Sequence, residues 1–351
     1  MSSARDRSAA FDARLVGGVL VALLITTVFV SAVVGAYQVS VGDVFGAILR
    51  RVGVMSGVAD DPVADELIWF IRLPRIVLGV LVGACLAMAG AVMQGAFANP
   101  LSEPGIVGVS SGAMAGAALQ IVTGFAPFGI WTLPVAAFLG GLIAVAIVYA
   151  TARHDGRTET ITLILMGVAL NALAGAIIGL LAFVADDASL RSLTSWTLGS
   201  LAQSTWEKVW IVAPAALLGM VGAFSLRRTL DLLSLGDRAA RHVGVDVEKA
   251  RVRVLVVVAI LAASAVAVSG IVLFVGLLVP HVVRLFVGPT HKNLLPLSIL
   301  FGSVVVTLAD VLARNIVEPA ELPLGVLTSF LGAPVFIWQL RRLRSRHGGW
   351  A

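Results

Sequence analysis

Few side chains in this chain are placed to do chemistry, and most of those lie in or beside apolar runs. Asp310 and Arg314 are four residues apart near the end of one such run. At that spacing two residues share a helix face, so an ion pair is the simplest reading. A proton-relay acid is the alternative. Arg72 and Arg75 stand three apart around Pro74 and share a face in the same way. Either they snorkel to headgroups, or with Arg314 they form a cationic pad for an acidic partner outside. His281 follows Pro280 directly and reads as a hydrogen-bonding or capping residue rather than a metal ligand. His154, His242, His291 and His347 read as loop or tail residues. No His, Cys, Asp or Glu group has ligand spacing, so no metal site is expected. There is no glycine-rich phosphate loop ending in Lys-Ser or Lys-Thr, and no nucleophile elbow. The chain is therefore expected not to be an enzyme by itself and to bind no cofactor. Uphill transport by it would draw energy from a partner or from an ion gradient. Carboxylates within the apolar runs are almost absent, which favours the partner.

The elements that position these residues are membrane helices. Of the 351 residues, 59% are hydrophobic and 13% charged, and the mean hydropathy is +1.00. Soluble domains carry about 25% charged residues, so the bilayer must be part of this chain's solvent. The net charge is +5. The basic residues sit between apolar spans and form no aromatic-interleaved patch, which argues against nucleic acid. Cys85 is the single cysteine; it excludes an intrachain disulfide and reads as a small packing residue. The first apolar run, 15–36, follows Arg5, Arg7 and Arg14 and is too long for a signal-peptide core. It reads as an uncleaved span.

Apolar runs predict ten helices, near 15–36, 70–98, 105–123, 131–151, 160–184, 207–227, 252–270, 274–288, 295–313 and 324–341. The expected class is all-α and polytopic, a single membrane domain over residues 1–351. Ten spans place both termini on one side. With the termini inside, only Arg50, Arg51, Arg72, Arg75, Arg191, Lys208 and Arg314 of the 25 Lys and Arg fall outside. The tail alone adds Arg341, Arg342, Arg344 and Arg346 to the inner side. The positive-inside rule thus puts the termini in the cytoplasm. Small residues at i, i+4 recur at Gly79 and Gly83, at Gly108, Gly112 and Gly116, and at Gly175 and Gly179. This spacing lets helix backbones approach closely.

Three segments stand out. The inner loop at 228–251 mixes charge with Leu235, Ala239 and Val243 at helical spacing, punctuated by Gly236 and Gly244. It reads either as a solvated headgroup loop or as two short helices that dock a cytoplasmic partner. The turn Asn99–Gly105 combines Pro100 and Pro104 with the capping residues Asn99 and Ser102. The stretch Gly270–Arg284 is apolar yet broken by Gly270, Gly276 and Pro280. In lipid such a break survives only where protein or a water-filled cavity satisfies its backbone.

These segments together resemble the iron-siderophore, heme and vitamin B12 permease family of ABC importers (FecCD-type). The likeness is carried by Arg72-Leu73-Pro74-Arg75, by Gln94 with Asn99–Gly105, by Leu232–Gly244 and by Gly270–Arg284. Leu295-Pro296-Leu297, Ala309-Asp310 with Ala313-Arg314, Leu322–Gly325 and Gly332–Phe336 extend it, so that it runs from about residue 67 to 341. Trp196–Leu201 with Trp206 looks most like heme permeases. The resemblance implies a type II ABC importer permease of ten helices in the bacterial inner membrane. It implies a homodimer, each copy paired with one cytoplasmic ATPase that uses ATP and Mg, and one binding protein outside. Its cargo would be heme or a related iron chelate, with ferric siderophore and cobalamin as alternatives. A stand-alone secondary transporter is the alternative of another class. By resemblance, Leu232, Leu235, Gly236, Ala239, Arg241, Val243 and Gly244 couple to the ATPase. Arg72, Arg75 and Arg314 face binding-protein glutamates, and Thr158, Thr160 and Thr162 lie at the inner gate. The cargo path runs between two copies, where Asn171, Gly175 and Gly179 are the candidate lining.

Overall fold

The computed structural model describes residues 11–54, 61–154, 157–317 and 319–346. Arg5, Arg7 and His347 lie outside these residues, as do the side chains of His154, Arg342, Arg344 and Arg346. The chain enters through α1 (Ala13–Val33), with the Asp12 carboxylate accepting from the Arg14 N–H at 2.9 Å. A short α2 (Val41–Arg51) opens with a reciprocal capping box between Ser40 and Asp43. Next come α3 (Pro62–Leu67), a π turn at Ile68–Arg72, and α4 (Leu73–Ala96). The π turn has a local cause: Pro74 has no N–H for the preceding turn and its ring crowds the carbonyl there, so the backbone widens just before it.

A 3-10 turn at Pro104–Val107 precedes α5 (Val109–Thr123), and α6 (Thr132–Ala152) follows. The short strands β1 (Arg153–His154) and β2 (Arg157–Thr158) pair antiparallel and lead into α7 (Thr160–Val184). Then come α8 (Asp187–Leu198), α9 (Trp206–Ser225), α10 (Arg227–Leu233), α11 (Asp237–His242) and α12 (Val247–Ser269). The chain ends in α13 (Val275–Val287), α14 (His291–Asn315) and α15 (Leu324–Arg346).

Among the described residues, seven helical stretches are long and apolar enough to cross a bilayer, and α5, α13 and the Leu324–Trp338 part of α15 are shorter apolar helices. These are the ten expected segments in the expected order. α12 and α14 begin five and four residues before their apolar runs. α12 starts at Val247 because Asp246 caps it, accepting from the Lys249 N–H at 3.1 Å. α14 starts at His291, whose N–H is held by Asp231 at 2.8 Å. The short helices α2, α3 and α8 lie in connections that hydropathy alone passes over.

The centre of the bundle is α4, α12 and α14. The most apolar windows of α4 with its leading turns, α12 and α14 are 83%, 78% and 67% buried, against 17% for α7. Glycine lets α4 touch its neighbours. A Cβ at Gly83 would stand 2.1 Å from the Gly302 carbonyl oxygen, and one at Gly90 would stand 1.7 Å from that of Gly276.

The broken stretch 270–274 packs on protein through Gly270 and Val272, while Leu273 is exposed. Gly270 sits at φ +65, and a Cβ there would lie 2.1 Å from the Trp196 carbonyl oxygen. The Ser200 N–H donates to Ser269, and the Leu324 N–H donates to the Gly199 carbonyl, both at 2.8 Å. Three of the segments that carried the resemblance, Trp196–Leu201, Gly270–Phe274 and Leu322–Gly325, thus meet at one crossing. There each supplies the backbone hydrogen bonds or close glycine contacts that lipid cannot supply.

Candidate functional site

One end of the bundle gathers the arginines of the predicted outer pad, and it buries them. The Arg72 guanidinium donates to the carbonyls of Ala32, Val33 and Tyr37 at the end of α1. Arg75 donates from Nε to both Asp310 oxygens at 3.0 Å and forks onto Glu321 at 2.9 and 2.8 Å. Arg314 donates to Ser31 Oγ at 3.0 Å, and its Nε lies 3.5 Å from Asp310. The side chains of Arg75, Asp310 and Arg314 are only 7%, 4% and 9% exposed. The expectation of an exposed cationic pad is therefore corrected, and snorkelling to headgroups fails with it. These arginines are internal fasteners between α1, α4 and α14. The physical reason is Asp310, which on a buried face needs compensation, and Glu321, which the apolar-run reading left in a loop. The Asp310–Arg314 pair itself is as expected. Arg75 holds the Glu321 carboxyl below the usual range, chiefly by hydrogen bonding.

The opposite end holds the loop at 228–251, which folds into α10 and α11. Leu235 and Val243 are 71% and 63% exposed. Ala239, Arg241 and Gly244 are exposed too, while Ala240 is buried and Leu232 packs on the core. Leu235 and Ala239 do not share one helix: Gly236, at φ +97, breaks the chain between them, as expected of two short helices punctuated there. Even so the loop presents a small apolar face. It is anchored by His291, which is buried and takes Asp231 on both its N–H and its Nδ1, the latter at 2.7 Å. That corrects His291 from a loop residue to a helix-start anchor. His281 also differs from expectation: it sits half-buried inside α13, and among the described residues its side chain has no hydrogen-bond partner.

The predicted gate threonines lie at this same end. Thr158 is buried; its N–H donates to Glu248 at 3.0 Å, and its carbonyl accepts from Arg251. Thr160 Oγ1 accepts from Arg251 Nη2 at 3.0 Å. Thr162 is half-buried, and its hydroxyl donates to Glu159 at 3.1 Å. Arg251, Glu248 and Asp237 were not singled out from sequence. Their charges looked like ordinary helix-end residues, and their partner Thr158 is 93 residues from Arg251.

The candidate lining divides. A Cβ at Gly175 or Gly179 would meet nothing within 4 Å. Among the described residues these two glycines pack against no helix, although their spacing matches the packed ones. Asn171 is committed inward: its Nδ2 donates to the Gly105 carbonyl at 3.3 Å, and its buried Oδ1 has no partner. It fixes the turn before α5 against α7. Among the described residues no cluster of three His, Cys, Asp or Glu could hold a metal ion.

This architecture has known relatives. The model of the FecCD transport family matches residues 23–342. The hemin transport system permease protein HmuU of Yersinia pestis is 43% identical over 290 residues, 80% of this chain and 85% of that one. The cobalamin import system permease protein BtuC of Halobacterium salinarum is 42% identical over 284 residues, 79% and 74% of the two chains. A solved metal-chelate type ABC transporter in an inward-facing conformation superposes with a TM-score of 0.82 at 35% identity, covering 94% of this chain and 99% of that one. Buried fasteners at one end, an exposed apolar knob at the other and a multi-pass helical body between them agree with these matches: the chain belongs to the FecCD transport family and is an ABC importer permease.

Proposed function

We propose that two copies of this chain form the membrane pathway of an ATP-driven importer that carries heme or a related iron chelate into the cytoplasm. The observation that carries this reading is α7. Its glycines 175 and 179 are open, and its apolar face, from Ile161 at 73% to Phe183 at 86% exposure, is left uncovered by the described residues. A second copy would cover part of this face and leave the small residues along a path between the two. Exposed apolar side chains at the inner knob fit an ATPase surface, and the chain has no phosphate loop of its own. ATP and Mg would therefore be used by that partner, with both termini on its side of the inner membrane. The whole of 1–351 then acts as one permease domain, with 228–251 as its coupling loop. A binding protein would deliver cargo at the opposite end. Heme is favoured by the likeness to the hemin permease. Cobalamin is the second reading, because the cobalamin permease is 42% identical against 43%.

Reconstitution with the cognate ATPase and binding protein in proteoliposomes tests this. ATP-dependent uptake of hemin is expected, well above that of cobalamin or a ferric hydroxamate. Uptake without the ATPase, driven by an ion gradient, would show a secondary transporter instead.

A further inference from the structure

We propose that Arg251 is the positioning residue that ties the ATPase-facing knob to the inner end of the pathway helix. It rests on the importer reading above. Arg251 projects from α12, whose most apolar window is 78% buried, and its own side chain is 5% exposed. One guanidinium holds two elements of different origin. Nη2 pairs with Asp237, the first residue of α11, at 2.5 Å. Nη1 and Nη2 also donate to the Thr158 carbonyl and, at 3.0 Å, to Thr160 Oγ1, which begins α7. Glu248, one turn earlier on α12, completes the clamp. One of its oxygens accepts the Thr158 N–H at 3.0 Å, and the other lies 3.8 Å from both Arg251 and Arg241.

This arrangement has two properties that a plain structural ion pair lacks. First, the Asp237 side chain is 38% exposed and sits on α11, the short helix that also presents Ala239 and Arg241. A partner that shifts α11 moves Asp237 directly. Second, Arg251 has another carboxylate within reach. Withdrawal of Asp237 would leave a buried guanidinium short of one counter-charge, and Glu248 at 3.8 Å is placed to close on it. Glu248 also holds the Thr158 N–H, so that exchange pulls on the segment leading into α7. The element thus has two discrete arrangements, which is what carries coupling between distant surfaces. The scaffold helix need not move.

The test uses Asp237→Asn, Arg251→Lys and Arg251→Gln in the permease–ATPase complex in lipid nanodiscs, in a Cys85→Ala background. Spin labels are placed at His242→Cys, at the end of α11, and at Ile161→Cys, on the first turn of α7; both positions are exposed. In the unaltered network, nucleotide should change the label-to-label distances between copies at both sites. In Asp237→Asn and Arg251→Gln the His242 label should still respond and the Ile161 label should not. Hemin taken up per ATP hydrolysed should then fall about tenfold or more, with ATPase association and ATP turnover retained. Arg251→Lys keeps the charge toward Asp237 but loses the fork onto Thr158 and Thr160, and should show the same split more weakly. If Arg251→Gln does not fold, the half-exposed Asp237→Asn decides alone. Coupled movement of both labels with normal uptake per ATP in Asp237→Asn would overturn the proposal. Loss of ATPase association would overturn it too, by making this network part of the docking surface. Absence of ATP-dependent uptake in the unaltered complex would instead overturn the importer reading beneath it.

Discussion

Helices α4 and α7 look alike in sequence and have opposite surroundings. Both are long and apolar, and both carry glycines four apart. In α4, Gly83 and Gly90 press backbone against backbone. In α7, Gly175 and Gly179 face open space. A small-residue repeat therefore marks a permitted close approach, and whether a helix comes near is decided elsewhere. Where a neighbour is present, glycine gains van der Waals contact that lipid would not replace. Where none is present, the same glycine leaves a shallow, yielding surface.

The sharpest way to break the contrast is to place the same side chain on both helices. Gly90→Leu drives a Cβ to 1.7 Å from the Gly276 carbonyl oxygen, and backbone cannot give way as a side chain can. We expect a cost at or above the roughly 3 kcal/mol upper end of overpacking. The readout is loss of monodisperse protein in detergent. Normal yield and melting temperature would contradict the close approach.

Arg75→Glu strikes α4 by charge instead of volume. It would set a third carboxylate against Asp310 and Glu321, at a cost of about 3–5 kcal/mol for breaking a buried pair. The melting temperature should drop even with no binding protein present. A variant of unchanged stability that merely captures its binding protein less well would restore the exposed-pad reading.

Gly175→Leu is the counterpart on α7. Folded-state stability of the single chain should stay within about 0.5 kcal/mol, as for an unpacked surface site. Uptake should nonetheless be lost. Stability loss as large as that of Gly90→Leu, in detergent-dispersed monomer, would place a helix against it.

The smallest effect concerns Glu321, which is partly exposed. Its carboxyl titrates below the usual range because Arg75 holds the ionised form. Its contribution is thus complete above the ordinary glutamate value, about 4.3, and is lost as pH falls through the lower folded value. Glu321→Gln should lower stability at pH 7 by about 1 kcal/mol or less. It should also flatten the acid limb of the melting profile; an acid limb identical to that of the unaltered chain would remove Glu321 from the lock.

Local chemistry was sufficient for the ten apolar segments and their order, and seven of the described stretches are also long enough to cross a bilayer. It was also sufficient for the break at Gly270–Phe274, the glycine punctuation at Gly236 and the Asp310–Arg314 pair, whose partners lie within a turn of one another. Sequence patterning placed Leu235, Ala239 and Val243 on a polar loop, and all three are exposed there. Tertiary structure alone decided which arginines were free. Arg75 meets Glu321 across 246 residues, and Thr158 meets Arg251 across 93. Periodicity carries no information at that range. It likewise decided that Gly83 touches and Gly175 does not. A side chain's type and spacing state which contacts it can make, and only the packing of helices distant in sequence selects the one it makes.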